Sequence, residues 1–258
     1  MPRSCAPLPS AMPARYDAGN DARAAAHVDA RGLGVPSGFA PRQIVRAGMA
    51  ALLPRRWFLV RGRRNSQNVC LTFDDGPHPQ QTPRVLDLLA KQHARATFFI
   101  IGQRAEEHPD LVKRILAEGH ELGHHTFFHR KPELVAASAL MSEVHRTSAL
   151  IEQITGRRTR LFRPPNGKLT TSKLLHLWRA GQSVVLWNVD AKDYASRLPQ
   201  DIADWFRARP LRGGDIVLMH DDMPHAAVVL PQLLSDTRTG GLNFVTVSEE
   251  IVQSGSVR

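Results

Sequence analysis

Hydrophobic residues in this chain fall into short solid runs, and longer amphipathic stretches lie between them. Val69–Phe73, Ala96–Ile101 and Ile216–His220 are apolar nearly throughout, as strands covered on both faces are. Shorter strands are expected near Leu161 and Val184, at Glu121–Leu122 and at Phe244–Val247. Helical spacing runs through Pro83–Gln92, Pro109–Glu118, Lys131–Thr155, Ser172–Ala180 and Asp201–Arg209, and a last helix includes Pro231–Asp236. Gly119 and Gly156 stand where helices are closed by glycine. Strand–helix alternation of this kind predicts an α/β fold, a barrel of parallel strands.

The strand-like runs end in titratable groups. Val69–Phe73 leads into Asp74-Asp75-Gly76-Pro77, where Gly-Pro stops the strand. Neighbouring residues on a strand point to opposite sides, so the two carboxylates face different surroundings. Two acids this close disfavour each other's ionisation unless a cation divides their roles. A metal would do so, with one aspartate ligating and the other free as a base.

Histidines to complete such a site follow in Glu121-Leu122-Gly123-His124-His125-Thr126-Phe127-Phe128-His129. The four-residue spacing of His125 and His129 puts both rings on one face of a helical turn, with Cβ atoms roughly 5–6 Å apart. Imidazole plus carboxylate suits zinc first, then cobalt, nickel or iron. An isolated H-x-x-x-H is a weak pattern, equally found on surface helices.

Three further segments continue the series: Arg163-Pro164-Pro165-Asn166-Gly167, Asp190-Ala191-Lys192-Asp193-Tyr194 and Leu218-Met219-His220. Polar residues gathered at strand ends match an active site on one rim of a parallel barrel.

Taken with Thr72-Phe73-Asp74-Asp75-Gly76-Pro77 and His125-Thr126-Phe127-Phe128-His129, these segments resemble the five motifs of the polysaccharide deacetylase family. That family is the NodB-homology domain, or carbohydrate esterase family 4. The likeness runs from about Asn68 to His220, in family order.

The resemblance implies a distorted (β/α) barrel and hydrolysis of N-acetyl, less often O-acetyl, groups on a glycan. It implies Asp75, His125 and His129 as ligands of one divalent ion, Zn2+ before Co2+ or Ni2+. Asp74 would be the general base, tethered by Arg163. His220 would be the general acid, oriented by Asp193. The backbone N–H of Asn166 would donate to the oxyanion, and Tyr194 with Leu218 would line a slot for the acetyl methyl. The implied partner is an acetylated oligo- or polysaccharide.

Departures from the family pattern bear on substrate more than on reaction. His124 stands where asparagine is usual, and is read as a donor supporting its neighbouring ligand or as a competing ligand. Asn166 replaces a more frequent tyrosine, and Tyr194 a tryptophan. Alternatives are a metal-dependent amidase on a small non-sugar substrate, a catalytically silent glycan-binding barrel, and an iron oxygenase. The pairing of Asp74 with a remote His220 argues against the last two.

Charge divides the chain unevenly. The 258 residues carry a net charge of +10, yet residues 1–64 alone hold 11 arginines and 3 aspartates. That leaves residues 65–258 close to neutral, so the excess does not mark a nucleic-acid binder. Residues 1–64 read as an Arg/Ala/Pro-rich extension, loosely ordered, with one short amphipathic helix over 42–53. Residues 65–258 form the catalytic domain, and 42% hydrophobic content overall supports one full core. The helix with its basic neighbours is expected to pack on the barrel rather than to meet an anionic membrane or polymer. No run reaches the ~20 apolar residues of a membrane span, and Met49–Pro54 is too short for a secretory core, which slightly favours the cytoplasm. Cys5 and Cys70 make no disulfide framework.

Overall fold

The computed structural model describes residues 48–49, 52–195 and 198–253. They belong to one compact unit spanning Pro41–Arg258. Most of the extension, including 42–47 of the expected helix, lies outside the described residues. Gly48, Met49 and Leu52 are helical, and Leu53 N–H donates to Met49 O at 3.0 Å.

The strands are β1 (Phe58–Leu59), β2 (Asn68–Asp74), β3 (Ala96–Ile100), β4 (Glu121–His124), β5 (Leu161–Phe162), β6 (Ser183–Val185), β7 (Val189–Asp190), β8 (Ile216–His220) and β9 (Asn243–Phe244). The helices are α1 (Gln81–Lys91), α2 (Gly102–Glu107), α3 (Pro109–Ala117), α4 (Ala137–Thr155), α5 (Thr171–Arg179), α6 (Pro199–Ala208), α7 (Pro224–Thr239) and α8 (Val247–Gln253).

All strand pairings are parallel, in the order β1-β6-β5-β4-β3-β2-β8-β7, with β9 added at the start of β2. The path has two ends, β1 and β7, so the expected barrel is an open half-barrel flanked by helices. The division expected at residues 64/65 cuts across this sheet, because Phe58 and Leu59 register with Val184 and Val185 of β6.

Side-chain alternation sorts each strand between two cores. Val69, Leu71 and Phe73 of β2, with Phe98 of β3 and Met219 of β8, pack outward under α1, α6 and α7. Each such side chain contributes about 1.5–3 kcal/mol on full burial. Cys70, Phe99, Val185 and Ile216 face inward. Above them, on that same inner side, β2 places Thr72 and Asp74, and β8 places Leu218 and His220. The inner core is therefore apolar at its base and polar at the C-terminal rim.

Three elements differ from expectation. Val135 and Ala136 are extended, so the helical stretch from Lys131 splits into a 3-10 turn at Pro132–Leu134 and α4. The strand expected over Phe244–Val247 ends at Phe244, because Thr246-Val247-Ser248-Glu249 starts a helix. There Thr246 N–H donates to Glu249 Oε2 at 2.9 Å and Glu249 N–H to Thr246 Oγ1 at 3.4 Å, a capping box. Helix α2 has too few residues to show a period. Among the described residues, no helix is long and apolar enough to cross a membrane.

Candidate active site

The polar rim forms where β2, β4, β5 and β8 deliver their last residues. Asp74 ends β2 and is buried; Asp75 follows in the left-handed region at φ 71°. Both carboxylates face His125 Nε2, Asp74 Oδ2 at 3.7 Å and Asp75 Oδ1 at 3.6 Å. Arg104 of α2 holds the turn from below, its Nη1 donating to Asp75 O and, at 3.0 Å, to Asp222 Oδ2.

His125 and His129 do not lie on a helical turn as their spacing suggested. They lie on a loop leaving β4, because Thr126 (φ 66°) and His129 (φ 54°) are left-handed and end any helix. Local bonds replace the helical ones. His129 N–H donates to Thr126 Oγ1 at 3.0 Å. A single buried oxygen, Glu143 Oε2 of α4, accepts from the amides of Phe127 (3.1 Å) and Phe128 (3.0 Å). The loop still brings the two rings together, with centroids 4.9 Å apart.

Asp75, His125 and His129 converge. Asp75 Oδ1 lies 3.6 Å from His125 Nε2 and 3.3 Å from His129 Nε2, and the three ligand atoms fall within 4.8 Å of one another. His125 Nδ1 donates to Arg163 O at 2.7 Å, which leaves the Nε2 lone pair facing Asp75. Burial pushes the His125 imidazole down to about 3, against the pull of Asp75, so it stays neutral and able to ligate. Asp75 Oδ1 is buried without a hydrogen-bond partner. Two imidazole nitrogens and an orphaned carboxylate oxygen are the donor set a divalent transition ion takes.

Asp74 stands apart from that set. Its Oδ1 accepts from Arg163 Nη1 at 2.7 Å, and Oδ2 lies 3.7 Å from His125 Nε2. Arg163 is itself fully buried. It also donates to Thr72 Oγ1 (2.7 Å), Val185 O (3.2 Å) and Leu186 O (3.2 Å), and its guanidinium lies 4.1 Å from the Phe99 ring centre. Burial raises the Asp74 pKa, while Arg163 and His220 draw it back.

His220 ends β8, and Asp193 grips it twice. Asp193 Oδ1 accepts from His220 Nδ1 and Oδ2 from His220 N–H, both at 2.8 Å. Burial alone would lower the imidazole pKa, but the bond and charge of Asp193, helped by Asp75 and Asp74, raise it to about 9. The half-exposed Tyr194 ring meets His220 edge-on at 5.2 Å. Leu218, buried, precedes His220 on the same face of β8. Asn166 is exposed on the 3-10 turn Pro165–Gly167, left-handed at φ 56°.

His124 is not at the site in either expected role. As the last strand residue before His125 it points to the other face, where its Nε2 meets Gln182 Oε1 at 3.0 Å and its ring lies against Phe162. Sequence reasoning also missed Glu143 and Arg104. Glu143 had a signal: it is an acid on the buried stripe Leu140, Val144, Thr147, Ile151 of α4. Arg104 had none.

An open parallel half-barrel with this rim defines a hydrolase of the α/β class. The chain belongs to the polysaccharide deacetylase family, whose profile matches residues 61–185. A peptidoglycan-N-acetylglucosamine deacetylase of Bacillus cereus is 37% identical over 190 residues, covering 72% of this chain and 88% of that one. A chitooligosaccharide deacetylase of Azorhizobium caulinodans is 36% identical over 166 residues, covering 62% and 77%. Among solved structures, the Bc1960 peptidoglycan N-acetylglucosamine deacetylase, crystallised with a naphthalenyl N-hydroxybenzamide, superposes with a TM-score of 0.72. It is 28% identical, over 75% of this chain and 92% of that one. The family is metal-dependent as a rule, and the triad described above is a fitting site for an ion.

Proposed function

We propose that this enzyme removes N-acetyl groups from a glycan of N-acetylglucosamine-type units, using one divalent ion, zinc before cobalt or nickel, held by Asp75, His125 and His129. The observation that carries the reading is the division of labour at the rim. Three ligand atoms converge on one point, while Asp74 is held a short way off by its own cation. Relatives named for peptidoglycan and chitooligosaccharide deacetylation support the substrate class. The N-hydroxybenzamide in the solved relative, a metal-chelating group, supports the ion.

Such an ion supplies Lewis acidity, polarising an acetyl carbonyl and acidifying water toward a pKa of ~7. The chain's own residues manage the protons. Asp74, kept ionised by Arg163, takes the proton from the attacking water. His220, kept protonated by Asp193, gives its proton to the nitrogen as the C–N bond breaks, so acetate and a free amine leave. The Asn166 N–H serves as an oxyanion donor, worth about 2.7–4 kcal/mol where such donors are removed. Tyr194 and Leu218 border the acetyl methyl.

Acetate release is to be measured from an N-acetylglucosamine oligomer and from peptidoglycan, before and after chelation and zinc readdition. Release that stops with the chelator and returns with zinc is expected. Undiminished release in chelator would remove the ion from the mechanism, and no release from either glycan would remove the substrate class.

A further inference from the structure

The opposite rim carries a cavity. It measures about 550 Å³, and Arg56, His120, Glu121, Arg157, Arg158 and Arg160 are part of its lining. His120 immediately precedes β4, Arg160 precedes β5 and Arg56 lies two residues before β1. These are N-terminal strand ends, so this cavity and the catalytic rim lie on opposite ends of the sheet.

The carboxylates nearby are already engaged. Glu121 Oε2 accepts from Thr97 Oγ1 at 2.9 Å and from Ser248 N–H at 3.1 Å. Glu249 pairs with Arg95, and Glu152 takes Arg158 at 3.0 Å. Arg56, Arg157 and Arg160 are exposed and have no carboxylate partner among the described residues.

His120 adds no charge of its own to this lining. Its side chain is 4% exposed, and its Nδ1 accepts from Ala96 N–H at 3.3 Å, which places the ring proton on Nε2. Burial pushes the imidazole pKa down to about 4, so the ring is neutral with one N–H to donate. That Nε2 is buried without a partner.

We infer that this basal cavity binds a phosphate-bearing anion, through guanidinium groups brought from two chain segments, Arg56 on one side and Arg157 and Arg160 on the other. Guanidinium forks match phosphate oxygens, and the volume falls within the range of small-ligand sites. The phosphate could come from a sugar phosphate or from a phosphodiester-linked polymer. In the second case the enzyme would be tethered to an anionic polymer while its other rim worked on the glycan.

Calorimetric titration of the full chain with glucose 6-phosphate and with a glycerol phosphate oligomer separates the two sources. Either probe binding supports the site, and the tighter one names the source. Because a metal centre also attracts phosphate, the same titration is run on His125→Ala. Binding should survive His125→Ala and weaken about tenfold or more in the double variant Arg157→Gln/Arg160→Gln. The double variant should deacetylate an N-acetylglucosamine oligomer at the wild-type rate, which shows the fold is intact. Failure of that activity in the wild type would touch the proposed function and leave this inference standing. No saturable binding by the wild type, or binding lost in His125→Ala and kept in the arginine variant, would overturn it.

Discussion

Asp74 and His220 are register partners across the neighbouring strands β2 and β8. The two groups assigned opposite proton-transfer duties thus share one rung of the sheet, on its inner face. Each biases the other toward its charged form: His220 draws the Asp74 pKa down, and Asp74 helps raise that of His220. A carboxylate base and an imidazolium acid are the pair that acid–base hydrolysis requires, and the charges of Arg163 and His220 offset part of the rise that burial imposes on the Asp74 pKa.

The alkaline limb of the reaction should belong to His220. Its pKa rises from 6.5 to about 9 in the fold, so the cation is favoured by folding. The stabilisation is complete below the ordinary value and is lost as pH climbs through about 9. Asp193→Asn removes the strongest raising contact and leaves burial, which lowers the pKa. The alkaline limb of kcat against pH should therefore move to lower pH, with the acid limb in place. An unmoved alkaline limb would take His220 out of the acid's role.

Asp74→Asn keeps the shape and the Arg163 hydrogen bond but removes the basic oxygen. Turnover should fall by about 10²–10⁴-fold, the range for a lost general base, with metal content unchanged by elemental analysis. Asp75→Ala and His125→Ala should instead lose the ion, with the melting profile otherwise that of chelated wild type. A variant at Asp74 that loses the ion as fully as these two would mean that Asp74 ligates.

The strand ends were legible because parallel strands buried on both faces read as unbroken apolar runs, and Asp74, Asp75 and His220 follow directly from those runs. The coming together of Asp75, His125 and His129 was legible as well, but not the path that achieves it. Nothing in Thr126 or His129 signals a left-handed backbone, so the spacing of four read as a helix. The face taken by His124 depends on where β4 ends, and a boundary moved by one residue reverses it. Two-residue strands such as β1 and β7 carry no period at all, which is why the open edges of the half-barrel could not be foreseen.

Glu143 should control how well the histidine loop is formed. One of its oxygens accepts from both the Phe127 and Phe128 amides, so glutamine, with one carbonyl oxygen, can reproduce the contact. Glu143→Gln should bind zinc nearly as wild type does. Glu143→Ala leaves two amides unsatisfied and frees the loop, and supporting contacts of this kind typically change metal affinity by about 10–100-fold. Competition with a chromogenic chelator reads the affinity directly. Equal loss in both variants would assign the effect to the charge rather than to the hydrogen bonds.

Gly123 links core packing to the catalytic pair. A Cβ there would come within 2.5 Å of Phe99 Cδ1 and Cε1 and 3.1 Å of Leu161 O. Phe99 supports the guanidinium of Arg163, which in turn holds Asp74. Gly123→Ala should cost about 1–3 kcal/mol by overpacking, or several degrees in Tm at ~2–4 °C per kcal/mol. It should also lower kcat, because a displaced Phe99 moves Arg163. Gly156→Ala is the matched comparison: at φ 68° with open space around it, its cost is backbone strain of ~1–2 kcal/mol, remote from the rim. Calorimetric melting and kcat on one oligomer distinguish the two. Both should lower Tm, and only Gly123→Ala should lower turnover; equal turnover in the two would break the proposed path from Phe99 through Arg163 to Asp74.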